Sequence, residues 1–373
     1  MKLNKILKNN FAGLNPYKPG KGKDKLTEEY DIAKPIKLAS NENPYGTSSN
    51  VKKRIKAELK RLKEYPESTA APLREELADF YNLSTDKLVI GNGSDELIGL
   101  LVEIFGADQG EIIYPDPSFI KYEVYVNLKK CQGRPVPLDN NYGIDLPAML
   151  AEINDKTRLI FICDPNNPTG TLLSAAEIKD FLAEVPDDIL VVLDQAYHEY
   201  VNDPNYFSAV PELDNWDNLF VLRTFSKAYG LAGLRVGYGI GHPAVIHYLT
   251  QMKDTFNSNR MAQVAACAAL KDQLHIEKSS RRNQEEKEFL YTQLKERGLD
   301  YIPTQGNFIM IKIPFPSQKV VRFLEKEGII VKPGAALGVK KTIRATIGSR
   351  ADNKALLSAL DKFLRKNNLA VSN

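Results

Sequence analysis

Five short, almost unbroken apolar runs constrain this chain more than any other feature: Leu88-Val89-Ile90, Ile112-Ile113-Tyr114, Leu159-Ile160-Phe161-Ile162-Cys163, Ile189-Leu190-Val191-Val192-Leu193 and Leu219-Phe220-Val221-Leu222. A strand with one wet face alternates apolar and polar residues, so a run without alternation is covered on both faces. Helical patterns separate several of the runs, one of them opened by the capping-box sequence Ser174-Ala175-Ala176-Glu177. Strand alternating with helix predicts a mostly parallel α/β sheet over about residues 46–250. Before it, the spacing predicts a basic helix from Val51 to Glu64 and a short one from Leu73 to Tyr81. After it, a long charged helix around 276–297, strand-like Phe308-Ile309-Met310-Ile311 and a terminal helix from about 352 predict a smaller α+β domain. Pro16, Pro19, Gly20, Gly22, Pro35 and Pro44 interrupt regular structure near the start, which reads as an arm lying across something else. The expected division is an arm over 1–45 joining the small domain, a large domain over 46–255 and a small domain over 256–373.

Composition narrows the function classes. At 373 residues the chain suits two domains, and its 50 basic against 47 acidic residues leave a net charge of +3. So even a balance makes no electrostatic case for a nucleic acid or a membrane surface. Cys131, Cys163 and Cys267 are scattered without metal-ligand spacing, which fits free thiols in a reducing compartment. No metal site is expected. The start, Met1-Lys2-Leu3-Asn4-Lys5-Ile6-Leu7-Lys8, is basic but precedes no apolar segment of signal-peptide length, and no stretch approaches a membrane span, so a cytoplasmic protein is expected.

Ligands of open α/β sheets sit beyond the carboxyl ends of the strands, so the residue after each apolar run is a candidate. The last run leads into Arg223-Thr224-Phe225-Ser226-Lys227-Ala228-Tyr229-Gly230-Leu231-Ala232-Gly233-Leu234-Arg235, placing the Lys227 amine at a strand end among hydroxyls and guanidinium groups. A lone lysine there is usually just solvated, but this whole run suits a Schiff base with an aldehyde cofactor that carries a phosphate. Leu88-Val89-Ile90 runs into Gly91-Asn92-Gly93-Ser94-Asp95-Glu96, where the free amides of Ser94 and Asp95 at a helix start suit that phosphate. Phe119, in Pro115-Asp116-Pro117-Ser118-Phe119, either stacks on a planar ring or is an ordinary core aromatic. Asp164-Pro165-Asn166-Asn167-Pro168-Thr169-Gly170 is a rigid loop that presents an asparagine amide. Asp194 ends an apolar strand, where a carboxylate needs a cationic or protonated partner such as a pyridine nitrogen, and Tyr197 follows within reach of a ring oxygen. His198 reads as a packing residue, and His242, His247 and His275 form no ligand set.

These segments, together with Asn41-Glu42-Asn43-Pro44, Tyr65-Pro66-Glu67 and Ile343-Arg344-Ala345-Thr346-Ile347-Gly348, occur in the order found in fold-type I pyridoxal phosphate aminotransferases, which the chain resembles. Within that superfamily it is similar to the histidinol-phosphate aminotransferases, which exchange an amino group between glutamate and imidazole-acetol phosphate. The resemblance implies a large domain with a mostly parallel sheet, a smaller α+β domain, and pyridoxal phosphate held on Lys227. It implies that Asp194 pairs with the ring nitrogen, that Asn167 and Tyr197 bond the ring oxygen, and that Phe119 stacks on the ring where many relatives have Tyr. Ser94, Asp95, Ser226 and Arg235 would hold the phosphate, with Tyr65 arriving from a second subunit of a homodimer. Arg344 would fork onto the α-carboxylate of a small-molecule amino donor or 2-oxo acid, with Tyr17, Asn43 and Lys332 also at the substrate. Gln195 stands where Glu is usual and Lys332 where Arg is common. An aromatic amino acid aminotransferase, a decarboxylase of a phosphorylated amino acid and a cofactor-binding regulator are the alternatives, the last disfavoured because no helix-turn-helix segment precedes the domain.

Overall fold

The computed structural model describes residues 21–368. A short first strand, β1 (Ile36–Lys37), belongs to the arm. The five apolar runs become the buried strands β2 (Leu88–Gly91), β3 (Glu111–Asp116), β5 (Thr157–Cys163), β6 (Leu190–Asp194) and β7 (Leu219–Thr224), and β4 (Gln132–Pro137) and β8 (Gly237–Ile240) join them. They form one sheet in the order β2-β8-β7-β6-β5-β3-β4, in which β8 runs antiparallel to both its neighbours and the remaining pairs are parallel. Separate apolar clusters cover its two faces, one built on Ile160, Ile162, Val191 and Val221, the other on Leu159, Phe161, Val192 and Phe220. That is the two-sided burial which the unbroken runs require.

Two strands escaped the apolar signal, each for a physical reason. β4 is an edge strand with one neighbour, so it tolerates Gln132, Arg134 and two prolines. In β8 close approach replaces side-chain bulk: a Cβ at Gly239 would strike the Phe220 ring, and one at Gly237 would meet the backbone nitrogen of Ser94 at 2.5 Å. The basic helix also stops earlier than expected. It covers Ser49–Glu58, continues as a single 3₁₀ turn over Leu59–Arg61, and then ends. Val51 is the only fully buried side chain in its α-helical part, so little packing supports extension, and Pro66 disfavours a helical Tyr65.

The smaller assembly contains β9 (Tyr301–Ile302), β10 (Phe308–Lys312), β11 (Ile329–Ile330), β12 (Lys332–Pro333) and β13 (Thr342–Thr346). The order β12-β13-β10-β9 is antiparallel throughout. β11 pairs in parallel with β1, which brings the arm onto this unit, and Leu38 ties it further by accepting from the Thr346 amide at 2.8 Å. Helices Gln273–Glu296, Ser317–Lys326 and Arg350–Lys366 pack on the sheet through Leu290, Leu324 and Leu360. The helix Arg260–Leu270 has no counterpart in the expectations. It follows the expected start of the small unit at 256, yet its Ala262, Ala265 and Ala266 join the core beneath the large sheet. No helix among the described residues is long and apolar enough to cross a membrane, and no group of three potential metal ligands occurs among them.

Candidate active site

Parallel registration puts the carboxyl ends of β5, β6 and β7 side by side, Cys163 opposite Asp194 and Asp194 opposite Leu222. Beyond them lies a cavity of about 200 Å³ lined by Ser94, Asp95, Phe119, Asn167, Asp194, Tyr197, Ser226, Lys227 and Arg235, among others. Loops separated by more than a hundred residues thus deliver nearly the whole predicted cofactor set to one place.

Asp194 forms the floor. Its Oδ2 accepts a hydrogen bond of 2.8 Å from the Tyr122 hydroxyl, while its buried Oδ1 has no hydrogen-bond partner of normal geometry among the described residues. Burial pushes the carboxyl up to about 6, against the pull of the Tyr122 hydroxyl. A protonated ring nitrogen set against Oδ1 would satisfy the oxygen and restore the charge. Tyr122, fully buried and stacked on Phe161 at 4.5 Å, fixes the carboxyl plane. Sequence reasoning did not single it out, since an interior tyrosine of a helix carries no signal until its partner is known.

Lys227 stands above. Its amine reaches the Ser40 carbonyl at 3.4 Å and lies 5.6 Å from the centre of the Tyr197 ring. Burial, followed by the nearby Arg344 guanidinium, lowers its pKa to about 8. An amine so depressed is neutral in useful amounts near physiological pH and can attack a carbonyl.

Tyr197 and Asn167, both expected at a ring oxygen, meet each other, Asn167 Nδ2 donating to the Tyr197 hydroxyl at 3.2 Å. The same hydroxyl accepts from Asn41 Nδ2 at 3.0 Å. Asn43 is engaged elsewhere and does not line the cavity: its amide donates to the Ala228 carbonyl at 2.7 Å and to Ser279, clamping the arm beside Lys227. Within the loop after β5 the work divides similarly. Asn166 braces the loop by donating to Thr169 and Pro117 and accepting from Ser118, which frees Asn167 to face the site. Arg344 stands behind Asn167 rather than on the cavity lining, donating to Asn167 Oδ1 at 2.6 Å and to the Ala39 carbonyl at 3.0 Å. Lys332 pairs with Arg344 in register across β12 and β13, and burial, then Arg344 and Lys37, lowers its pKa to about 8.

The phosphate end is equally specific. Arg235, in the left-handed region at φ 56°, donates to Ser226 Oγ at 3.3 Å. Gly93 stands at φ 79°, a conformation that L side chains rarely adopt, and its missing Cβ leaves the Arg235 guanidinium room to approach the turn. The helix beginning at Ser94 has no side-chain cap, leaving its first amides for an anion. Phe119 lines the cavity and meets Tyr122 edge-on at 5.8 Å, so it is at once cavity wall and edge of the core. Tyr65 lies outside the cavity, 77% exposed and stacked on Phe256 at 4.6 Å. Tyr17 falls outside the described residues. Gln195 accepts from the buried Arg223 at 2.9 Å and donates to the Phe207 carbonyl, so the departure from Glu acts beneath the site. His198 contacts Glu199 at 2.9 Å and does not line the cavity.

The arrangement therefore fits an aromatic aldehyde with a basic ring nitrogen at one end and a phosphate at the other. Residues 33–360 match the family described as "Aminotransferase class I and II". The chain is 41% identical over 363 residues to the histidinol-phosphate aminotransferase of Geobacillus thermodenitrificans, covering 97% of this chain and 99% of that one. It is 40% identical to the Bacillus subtilis enzyme of the same name, over 96% of this chain and 99% of the relative. The fold is similar to the crystal structure of histidinol-phosphate aminotransferase from Sinorhizobium meliloti in complex with pyridoxal 5'-phosphate, with a TM-score of 0.88, 24% identity and 97% and 98% of the two chains covered.

Proposed function

Because the chain belongs to the class I and II aminotransferase family, we propose that it is a histidinol-phosphate aminotransferase, moving the amino group of histidinol phosphate to 2-oxoglutarate with pyridoxal phosphate as cofactor. The observation that carries this reading is the buried Asp194 Oδ1 with no hydrogen-bond partner of normal geometry among the described residues, on the floor of the cavity that also holds the Lys227 amine. When bound, the cofactor supplies an electron sink for the carbon whose proton is removed.

This chain's residues do the rest. Asp194 keeps the ring nitrogen protonated, and Tyr122 holds Asp194 in plane. Asn167 and Tyr197 orient the ring oxygen, while Ser94, Asp95, Ser226 and Arg235 hold the phosphate. Lys227 holds the cofactor and, once released by substrate, carries the proton at its Nζ. Arg344 receives the carboxylate of glutamate, and Lys332 beside it adds a point charge for the phosphate of histidinol phosphate.

Lys332 separates the phosphate-bearing substrate from an aromatic one. Lys332→Ala raises the KM for histidinol phosphate by about tenfold, the loss of one charge-assisted hydrogen bond, and leaves phenylalanine nearly unaffected. Steady-state kinetics on both donors checks this. Equal effects on the two donors, or equal efficiency of the wild type on both, would sink the histidine-pathway assignment while leaving the aminotransferase intact.

We also infer a homodimer. Tyr65, Leu62 and Phe256 expose apolar surface on the same side of the chain as Arg260, whose guanidinium bonds the Tyr65 carbonyl. A second copy covering that surface would bring its Tyr65 to the phosphate site. Tyr65→Ala then lowers activity roughly tenfold. Co-expressing it with Lys227→Ala restores activity, because one site of each mixed dimer holds both side chains. Failure of the mixture to exceed either variant alone would exclude a shared site.

A further inference from the structure

A second cleft, of about 620 Å³, opens between the helix Gln273–Glu296 and the loops that flank both sheets, and it shares no lining residue with the Lys227 cavity. Its size is that of a small-molecule site. One face of the helix lines it: Gln284, Lys287, Glu288 and Tyr291, at the spacing that puts side chains on a single stripe.

Two polar groups on this stripe are unsatisfied. Lys287 is 2% exposed, yet among the described residues it donates no hydrogen bond and forms no ion pair. Gln284 gives its amide to Glu288 at 2.8 Å and leaves its buried Oε1 without a partner. The Lys287 ammonium keeps a little accessible surface, which opens on the cleft, so whatever fills the cleft decides how that charge is compensated. Burial accordingly lowers the Lys287 pKa to about 8, opposed only by Glu288. Flat aromatic surfaces complete the lining, Tyr291 from the same stripe and Tyr301 and Tyr142 from elsewhere in the chain. Tyr291 and Tyr301 stack at 4.4 Å with planes 8° apart, and Tyr142 lies under the Lys312 amine at 5.3 Å. Asp203 and Glu288 are the acids of the rim.

We propose that this cleft is a second binding site for a small ring-bearing organic acid, whose carboxylate or phosphate pairs with Lys287, whose hydroxyl or amine donates to Gln284 Oε1, and whose ring lies against the tyrosines. It is separate from the reaction centre, so its ligand regulates or stabilises rather than reacts.

Titration calorimetry of the pyridoxal phosphate-loaded protein tests this, with 4-hydroxybenzoate as the carboxylate probe and 4-hydroxyphenyl phosphate as the phosphate probe. Binding of either is expected, and which one binds identifies the anion. Affinity should fall roughly tenfold or more in Lys287→Met, as one charge-assisted hydrogen bond is lost, and stay unchanged in Lys332→Ala. Above pH 8 the event should take up a proton, because a bound anion favours the ammonium form. Without probe, Lys287→Met should melt no lower than the wild type, since it removes a charge that burial disfavours and keeps the side chain's length. No binding of either probe at millimolar concentration, affinity unchanged in Lys287→Met, or a lower melting temperature in that variant would each overturn the proposal.

Discussion

Lys227→Ala abolishes transamination, with turnover falling by at least about 10,000-fold, while the protein still binds pyridoxal phosphate. The lysine has two tasks, holding the cofactor and carrying the proton, and no neighbour replaces it. His198 faces Glu199 outside the cavity, and the Tyr197 hydroxyl is held by Asn41 and Asn167, with burial keeping its pKa well above the usual phenol range. Cofactor affinity outlasts the loss because the groups proposed for the phosphate, at Arg235, Ser226 and the Ser94 helix start, do not involve the amine. Spectra of the purified variant and single-turnover assays give the two readouts. Borohydride reduction of the wild type, followed by peptide mapping, should place the cofactor on Lys227. Recovery on another lysine would remove the central assignment.

Asp194→Asn lowers kcat by about 100- to 1,000-fold and changes the KM for amino donor little. Asparagine keeps the shape and can still accept from Tyr122, so folding and ring placement survive. What disappears is the negative charge opposite the ring nitrogen, and that charge matters most when electron density flows into the ring. Tyr122→Phe should lose only about tenfold, since one hydrogen bond to a carboxylate is removed and the charge stays. Steady-state kinetics on both variants checks the order. A normal kcat in Asp194→Asn would refute the pairing with the ring nitrogen, and a Tyr122→Phe defect as deep as that of Asp194→Asn would show that orientation rather than charge is decisive.

The aminotransferase chemistry is legible in the amino-acid sequence because its main signals are local. An unbroken apolar run must be covered on both faces wherever it lies, so β5, β6 and β7 read as buried parallel strands, and their last residues as site residues. That rule makes Ser94, Asp194 and Lys227 candidates, and the motifs around them give the expected roles. β4 and β8 do not follow from it, because an edge position excuses polar residues and close approach selects glycine, and both are properties of neighbours.

Polar partnerships were decided in tertiary structure. In the motif Asn41-Glu42-Asn43-Pro44 the two asparagines are chemically identical, yet Asn41 reaches Tyr197 and Asn43 clamps Ala228. Arg344 meets the Ala39 carbonyl across 305 positions and Asn167 across 177. Tyr122 joined the site only when its hydroxyl reached Asp194 at the end of β6. Periodicity reports what a segment must bury, which the chain carries within a few residues. A hydrogen bond depends on ångström distances between remote segments, and those exist only after the sheets and the arm have assembled.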